Sequence, residues 1–424
     1  MKEQVLWAVQ QGPVEPVAPA DQALPDSVDV AIVGGGITGL AAALNLAHGG
    51  ASVAVFDTHE VGWGASSRNG GMVSVGSKRP AASWVQEYGL EMAARLWQAS
   101  VETVGFVEEL IAREKIDCRW TRCGMLGAAW KPEHFGLLAA KQKFLADTFD
   151  YHIELVTPAD VASELGTTRY HGASLDPYGG GLDPFLYVRG LAAAAVRAGA
   201  LVFEHCAVKT LGRVGDEHQL VTERGVLAAA DVLIATNGYT GPLTPELRRR
   251  VIPVGSHIIA TEPLDADVAQ GLIPKGRMVY DTKNMLYYFR LTPDDRLMFG
   301  GRAAWTPTTP QRSGAILHRK MLELYPQLTG TPIEYTWDGQ VAMTFDFDPH
   351  AGTMGGLYFC MGYCGHGVAM SSYLGDRIAD LIAGRPVDTP FFEITKFPTN
   401  PLYRGRPWFL PLAGGYYRTL DHLR

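Results

Sequence analysis

Apolar residues fall into two alternating textures along this chain: short β-branched runs and longer stretches repeating at helical spacing. Val28 to Ala47, VDVAIVGGGITGLAAALNLA, holds one of each, joined by closely spaced glycines. The periodicity switches from strand to helix at those glycines. A second strand, Ser52–Phe56, ends at Asp57. From Val85 to Glu114, Leu90, Ala93, Trp97, Val101, Val104, Val107 and Ile111 predict one long amphipathic helix, and a further helix is expected at Pro132–Ala146. Asp183, Pro184 and Gly199 carry the N-cap, first-turn and C-terminal signals of another helix, with strand Leu201–Glu204 behind it. Asp231–Ala235 is a short apolar strand stopping at Thr236-Asn237-Gly238.

Between Val251 and Trp337 the texture turns β-rich, with runs at Ser256–Thr261, Met285–Leu291 and Arg296–Gly301 and one helix at Ser313–Tyr325. The first texture then returns: strand Leu357–Met361, a glycine turn, and helix Val368–Ala383 closed by Gly384. This order predicts an α/β chain. Segments 28–85, 182–252 and 337–390 would build a Rossmann-like domain, and 86–181 with 253–336 a discontinuous antiparallel-sheet domain. Residues 1–27, with Pro13, Pro16, Pro19 and Pro25, read as an extended arm over the surface, and 391–424 as a C-terminal tail.

With 424 residues, 47% of them hydrophobic, the chain can bury a large core. Its formal charge of −7 provides no chain-wide basic character, which argues against nucleic acid and membrane as partners and for a small-molecule ligand. The five cysteines are scattered without CxxC spacing, as expected of reduced thiols in a cytoplasm rather than a metal site. Cys360 and Cys364 bracket a strand end and read as buried small residues. Only Val28–Ala47 mimics a membrane span, and its glycines and Asn45 interrupt it.

Gly34-x-Gly36-x-x-Gly39 between strand and helix has a specific chemical use. A diphosphate needs bare backbone N–H donors and the positive end of a helix. Asp57 lies at the roughly 20-residue spacing expected of an acid that accepts from ribose hydroxyls. This much fits a nicotinamide or a flavin dinucleotide equally. A second glycine-rich loop, GWGASSRNGG at 62–71, is too polar for core and suits a flavin ring that stays in place.

Four blocks in order, VGGGITGL (33–40), GWGASSRNGG (62–71), ATNGY (235–239) and GYCGHGVAM (362–370), resemble the D-amino-acid oxidase superfamily of FAD-dependent oxidoreductases. Within it, the chain is similar to the γ-glutamylputrescine oxidase-like subgroup, including its Arg406-Pro-Trp-Phe-Leu-Pro-Leu-Ala413 tail. The resemblance implies a glycine oxidase- and sarcosine oxidase-like fold, with the β-rich domain over the substrate. It further implies that Gly34, Gly36, Ile37, Thr38, Gly39, Asp57, Gly64, Ala65, Ser66, Arg68, Asn69, Gly70 and Gly71 contact FAD. Val208, Thr236, Gly238, Gly365, His366, Gly367 and Val368 would do so too. Covalent flavin in this superfamily uses a histidine where Arg68 stands, or a cysteine where Ala342 or Met343 stands. Non-covalent FAD is therefore expected.

The implied reaction is oxidation of a primary or secondary amine, a polyamine derivative or amino-acid-like compound. Hydride passes to flavin N5 and the imine hydrolyses, with peroxide formed if dioxygen is the acceptor. Such a site must favour the neutral amine and stabilise the reduced flavin. His366 at a helix start is the candidate proton acceptor or substrate-orienting group. Arg290 resembles the arginine with which glycine oxidases grip a carboxylate, and either Tyr287 or Tyr288 can face the same site, Tyr288 being the candidate. Ala369 and Met298 replace lysines of the sarcosine oxidases, which disfavours simple N-methyl amino acids and leaves an acceptor other than dioxygen open. The competing readings are a flavin-carrying subunit of a hetero-oligomeric amine dehydrogenase and a nicotinamide-dependent dehydrogenase.

Overall fold

The strand-to-helix switch folds as its pattern dictates, strand Ser27–Val33 running into helix Ile37–His48. Gly39 lets the two meet, because a Cβ there would stand 2.0 Å from the carbonyl oxygen of Gly34. The computed structural model describes residues 1–19, 21–302 and 308–423. Ala20, residues 303–307 and Arg424, within the expected arm, second domain and tail, lie outside the described residues.

Two large sheets organise the chain. The first has a parallel core in the order Leu201–Phe203, Val53–Phe56, Ser27–Val33, Gly225–Ile234, Leu357–Met361. Where these strands run through the centre of the sheet, at residues 30–33, 53–56 and 232–234, both faces are buried and the sequence reads as a continuous apolar run. Helix Ile37–His48 lies beneath helices Pro184–Arg197 and Gly367–Ile382. At the second crossing a Cβ on Gly375 would come within 2.5 Å of the Thr38 carbonyl oxygen, so glycine sets the interhelical distance.

The second sheet has nine strands in the order Lys2–Glu3, Ile333–Met343, Ile252–Thr261, Leu297–Gly301, Tyr287–Leu291, Met278–Asp281, Met125–Ala128, Ala173–Asp176, Glu154–Val156. It is antiparallel except where Lys2–Glu3 joins Ile333–Met343 and Met278–Asp281 joins Met125–Ala128. Helix Pro310–Leu324 packs on it through Leu317, Met321 and Leu324.

Several expectations need correction. The helix expected over Val85–Glu114 is two, Ala81–Tyr88 and Leu90–Glu114, broken at Gly89 with φ +81°. Asp231–Ala235 is only the end of the longer strand Gly225–Ile234, whose start pairs with a largely exposed hairpin, Val208–Val214 and Glu217–Thr222. Strand Ile333–Met343 crosses the boundary drawn at 337, since Asp338-Gly339-Gln340 continues as strand.

The N-terminal arm departs most. Prolines 13 to 19 do follow the surface, but Lys2–Glu3 is a strand of the second sheet, and Leu6 and Trp7 in the short helix Leu6–Val9 are 0% exposed. Trp7 packs among Phe185, Ile258, Met298 and Trp337. Truncating a buried tryptophan costs about 3–5 kcal/mol. Trp7→Ala should therefore lower the urea midpoint with the slope retained; an unchanged midpoint would show that the segment contributes nothing to the core.

Candidate functional site

One cavity of about 1500 Å³ joins the carboxyl edge of the parallel sheet to the face of the nine-stranded sheet. It exceeds the few hundred to about 1,000 Å³ usual for a single small ligand and has room for a dinucleotide with a substrate beside it. Gly34, Gly36, Ile37, Thr38 and Asp57 line one part, with Val208 and Thr236. Gly64, Ala65, Ser66, Arg68, Asn69 and Gly70 line the next, and Gly365, His366, Gly367 and Val368 face the cavity with Tyr288.

Four predicted residues do not line it. Gly39 and Gly71 are packing glycines, the second with φ +69° and a Cβ position 2.1 Å from the Leu182 carbonyl oxygen. Gly238 is buried against Gln340 and Ala342, and its neighbour Asn237 faces the cavity instead, accepting from Gly362 N–H at 2.9 Å. Arg290 is the larger correction. It shares the Tyr288 face of the strand but lies beneath the Gly70–Gly71 loop, where Nη1 donates to Leu182 O at 2.8 Å and, at longer range, to Gly70 O and Gly71 O. The Trp7 ring lies 5.6 Å from its guanidinium carbon. Burial lowers its pKa to about 10. This arginine caps carbonyls under a loop through Nη1 and donates to Leu291 O through Nε, and it does not line the cavity.

That loop is short helix Ala65–Arg68 with its flanks, and most of its predicted ligands are also its braces. Asn69 donates to Ala65 O and Ser66 O at 3.0 and 2.9 Å and accepts from Gly71 N–H at 2.7 Å. Arg68 donates to Trp63 O and to Asp338 O, with its guanidinium over the Trp63 ring. Two indoles hold it from below: Trp7 Nε1 donates to Asn69 O and Trp337 Nε1 to Arg68 O, each at 3.0 Å. Ser66 Oγ accepts from Ile37 N–H at 3.1 Å, linking this loop to the first helix start.

At the first loop Asp57 accepts from Gly35 N–H at 2.8 Å and from His59 N–H at 2.9 Å, while burial raises its pKa. These bonds orient the carboxylate at the cavity wall and leave lone pairs for hydroxyl donors. Gly36 caps helix Ile37–His48 with bare backbone. At the third loop His366 caps helix Gly367–Ile382, and Thr38 Oγ1 meets Tyr363 OH at 2.8 Å, tying the two helix starts together.

Residues 29–381 match the model of the DAO family, described as FAD dependent oxidoreductase. The chain belongs to this family. It is 34% identical over 401 residues to γ-glutamylputrescine oxidoreductase of Escherichia coli, covering 93% of each chain. It is 33% identical over 408 residues to the probable oxidoreductase OrdL of Haemophilus influenzae, 94% of this chain and 93% of that one. The crystal structure of glycine oxidase from Geobacillus kaustophilus superposes with a TM-score of 0.72 at 23% identity, over 88% of this chain and 100% of that one.

The residues fit FAD. The bare cradle at Gly34 and Gly36 with Asp57 behind it suits the adenosine diphosphate end, and the braced loop at 64–70 with the 365–368 turn can hold a flavin. The buried His366 Nδ1 has no hydrogen-bond partner among the described residues, as expected where a ligand completes the wall. A second dinucleotide-scale loop of this kind, together with the family, sets the nicotinamide alternative aside. Neither expected attachment position offers a covalent link, since Arg68 stands at one and is engaged and Ala342 or Met343 stands at the other; burial pushes the nearby Cys364 thiol up to about 11, which keeps it protonated.

Tyr288 and Tyr287 alternate as expected. Tyr288 faces the cavity, its OH 2.9 Å from Ser256 Oγ and its ring over Gly300, where a Cβ would come within 2.3 Å. Tyr287 lies on the other face, beneath Lys283 Nζ at 3.5 Å from the ring centroid. Ala369 and Met298 are buried and do not line the cavity.

Of the lining cations that the sequence did not single out, Lys78 and Arg302 bear most on the substrate end. Burial and the neighbouring Arg302 lower the Lys78 pKa; burial lowers that of Arg302. Among the described residues Lys78 forms no ion pair or hydrogen bond. Burial, then Lys78 and Lys141, lower the His366 pKa to about 4. The signals were faint: Lys78 follows the second loop by a few residues, and Arg302 ends a strand at Gly300-Gly301.

Arg290 supplies the test of its reassignment. Arg290→Leu leaves the Leu182 carbonyl unsatisfied in a buried place, at a cost of about 1–3 kcal/mol. A lower Tm with unchanged KM for carboxylate-bearing substrates is expected; a KM rise confined to such substrates, with Tm intact, would return Arg290 to the substrate site.

Proposed function

We propose that this protein oxidises the carbon–nitrogen bond of an amine that also carries a carboxylate, with FAD bound non-covalently. The observation that carries the reading is the half-buried cationic wall of Lys78 and Arg302 facing the cavity with His366 beside it. The names of the relatives, a γ-glutamylputrescine oxidoreductase and a glycine oxidase, agree with an amine bearing an amino-acid-like group. Bound FAD supplies the two-electron acceptor that takes hydride from the carbon next to nitrogen.

The chain's own residues would do the rest. Lys78 and Arg302 would pair with the carboxylate, in a half-buried site where the charges are screened less than at the open surface. The same cations disfavour an ammonium nearby and so lower the pKa of the bound amine, presenting the lone pair needed to expel hydride. His366, uncharged above about pH 4, adds no further positive charge and offers an acceptor nitrogen for a proton or a substrate N–H. The N-terminus of helix Gly367–Ile382 contributes positive potential where negative charge develops on reduction. Tyr288, with its pKa raised to about 12 by burial, stays a neutral donor bonded to Ser256. The imine product hydrolyses to an aldehyde or ketone. With dioxygen as acceptor the second product is hydrogen peroxide, and a dye-coupled assay covers any other acceptor.

Lys78→Met tests the assignment. One lost charge-assisted bond, about 1.5–3 kcal/mol, should raise KM for amino-carboxylates roughly 10- to 100-fold and leave plain diamines near wild type. Removing the cation also raises the pKa of the bound amine, so the rising limb of kcat moves to higher pH. Equal losses on both substrate classes, or an unmoved limb, would remove Lys78 from the substrate site.

A further inference from the structure

No helix among the described residues is long and apolar enough to cross a membrane. Yet the C-terminal segment has the composition of one that lies on a membrane. From Thr395 onward the sequence carries Lys396, Arg404, Arg406, Arg418 and Arg424 against a single acid, Asp421, in a chain whose overall charge is −7. Asp421 is already committed, accepting from Asn284 N–H at 2.9 Å and Met285 N–H at 3.0 Å. Lys396, Arg404 and Arg406 are exposed, and among the described residues their side chains make no ion pair or hydrogen bond.

The apolar side chains of the same segment are also turned outward. Leu402 is 75% exposed, Trp408 61%, Leu412 72% and Tyr416 62%. Trp408, Leu412 and Tyr416 are four residues apart on helix Leu410–Leu423 and the turn leading into it, so they form one stripe. Trp408 is held beside Leu402 by an indole bond to Leu402 O at 3.3 Å. This is not a loose tail. Phe409 and Leu410 pack against buried Tyr403, and Asp421 fixes the far end of the helix, so the stripe is presented on a fixed base.

We propose that this segment docks on an anionic lipid surface. A tryptophan, a tyrosine and leucines flanked by arginines suit the boundary between headgroups and acyl chains, and the cations suit its negative potential. A second copy of this chain fits poorly, because a two-fold contact through this patch would set its basic segments against each other. The chain-wide charge conceals the feature, since acids elsewhere outweigh it. The docking face also adjoins the cavity: Asp421 holds the turn before the lining residue Leu286, and Tyr417 lies close enough to the lining Arg302 to perturb it electrostatically.

The test uses the purified full chain and needs no turnover. Co-sedimentation with vesicles of phosphatidylcholine and phosphatidylglycerol should capture the protein, pure phosphatidylcholine should capture at least tenfold less, and raised salt should release it. Trp408→Glu with Leu412→Glu, and separately Arg404→Glu with Arg406→Glu, should each weaken vesicle binding at least tenfold while flavin content and circular dichroism stay unchanged. The proposal is overturned by absent vesicle binding, by binding indifferent to lipid charge, or by a concentration-dependent dimer that Trp408→Glu with Leu412→Glu abolishes, which would show a second copy covering the stripe.

Discussion

The second glycine-rich loop can face a flavin only because its other side is held by the neighbouring sheet. Asn69 O takes the indole hydrogen of Trp7, Arg68 O that of Trp337, and the Gly70, Gly71 and Leu182 carbonyls converge on Arg290. Exposed backbone on the cavity side requires satisfied backbone on the other, since a buried carbonyl without a donor is costly. The parallel sheet could not supply these donors, because the loop leaves its edge. The nine-stranded sheet and the first nine residues of the chain supply them, so binding surface and substrate surface share one set of supports.

That sharing gives the cavity its polarity. One end, at Asp57, presents an acid to hydroxyl donors; the other places Lys78 and Arg302 with a histidine whose pKa is lowered by burial and then by Lys78 and Lys141. An anion and a neutral amine are what such an end accommodates best. On the proposed reading, one electrostatic arrangement would account for both selection of a carboxylate and activation of the amine beside it.

Much of this was legible in the sequence. The Val28–Ala47 switch fixed strand, cradle and helix, the Asp183–Pro184 signals placed a helix start where the carboxylate accepts from Phe185 and Leu186 N–H, and alternation correctly separated Tyr287 from Tyr288. What failed was whatever depended on tertiary neighbours. Trp7 lay among residues whose prolines suggested a surface path, and only the paired strand Lys2–Glu3 draws it inward. Arg290 matched a substrate-gripping residue in type and strand context, yet carbonyls from two distant stretches, 70–71 and Leu182, claimed it. Gly39, Gly71 and Gly238 belonged to the right motifs, but close approach of backbone, not of ligand, accounts for them. Lys78 and Arg302 carry only faint local signals, a place just after the second loop and a place at a strand end.

The most direct measurement is anaerobic mixing of the purified protein with single amines while the visible flavin band is followed. The account predicts a yellow protein whose flavin is bleached by an amine bearing a carboxylate, at far lower concentration than by the same amine without it. A flavin that no such amine reduces, although a chemical reductant bleaches it fully, would contradict the account.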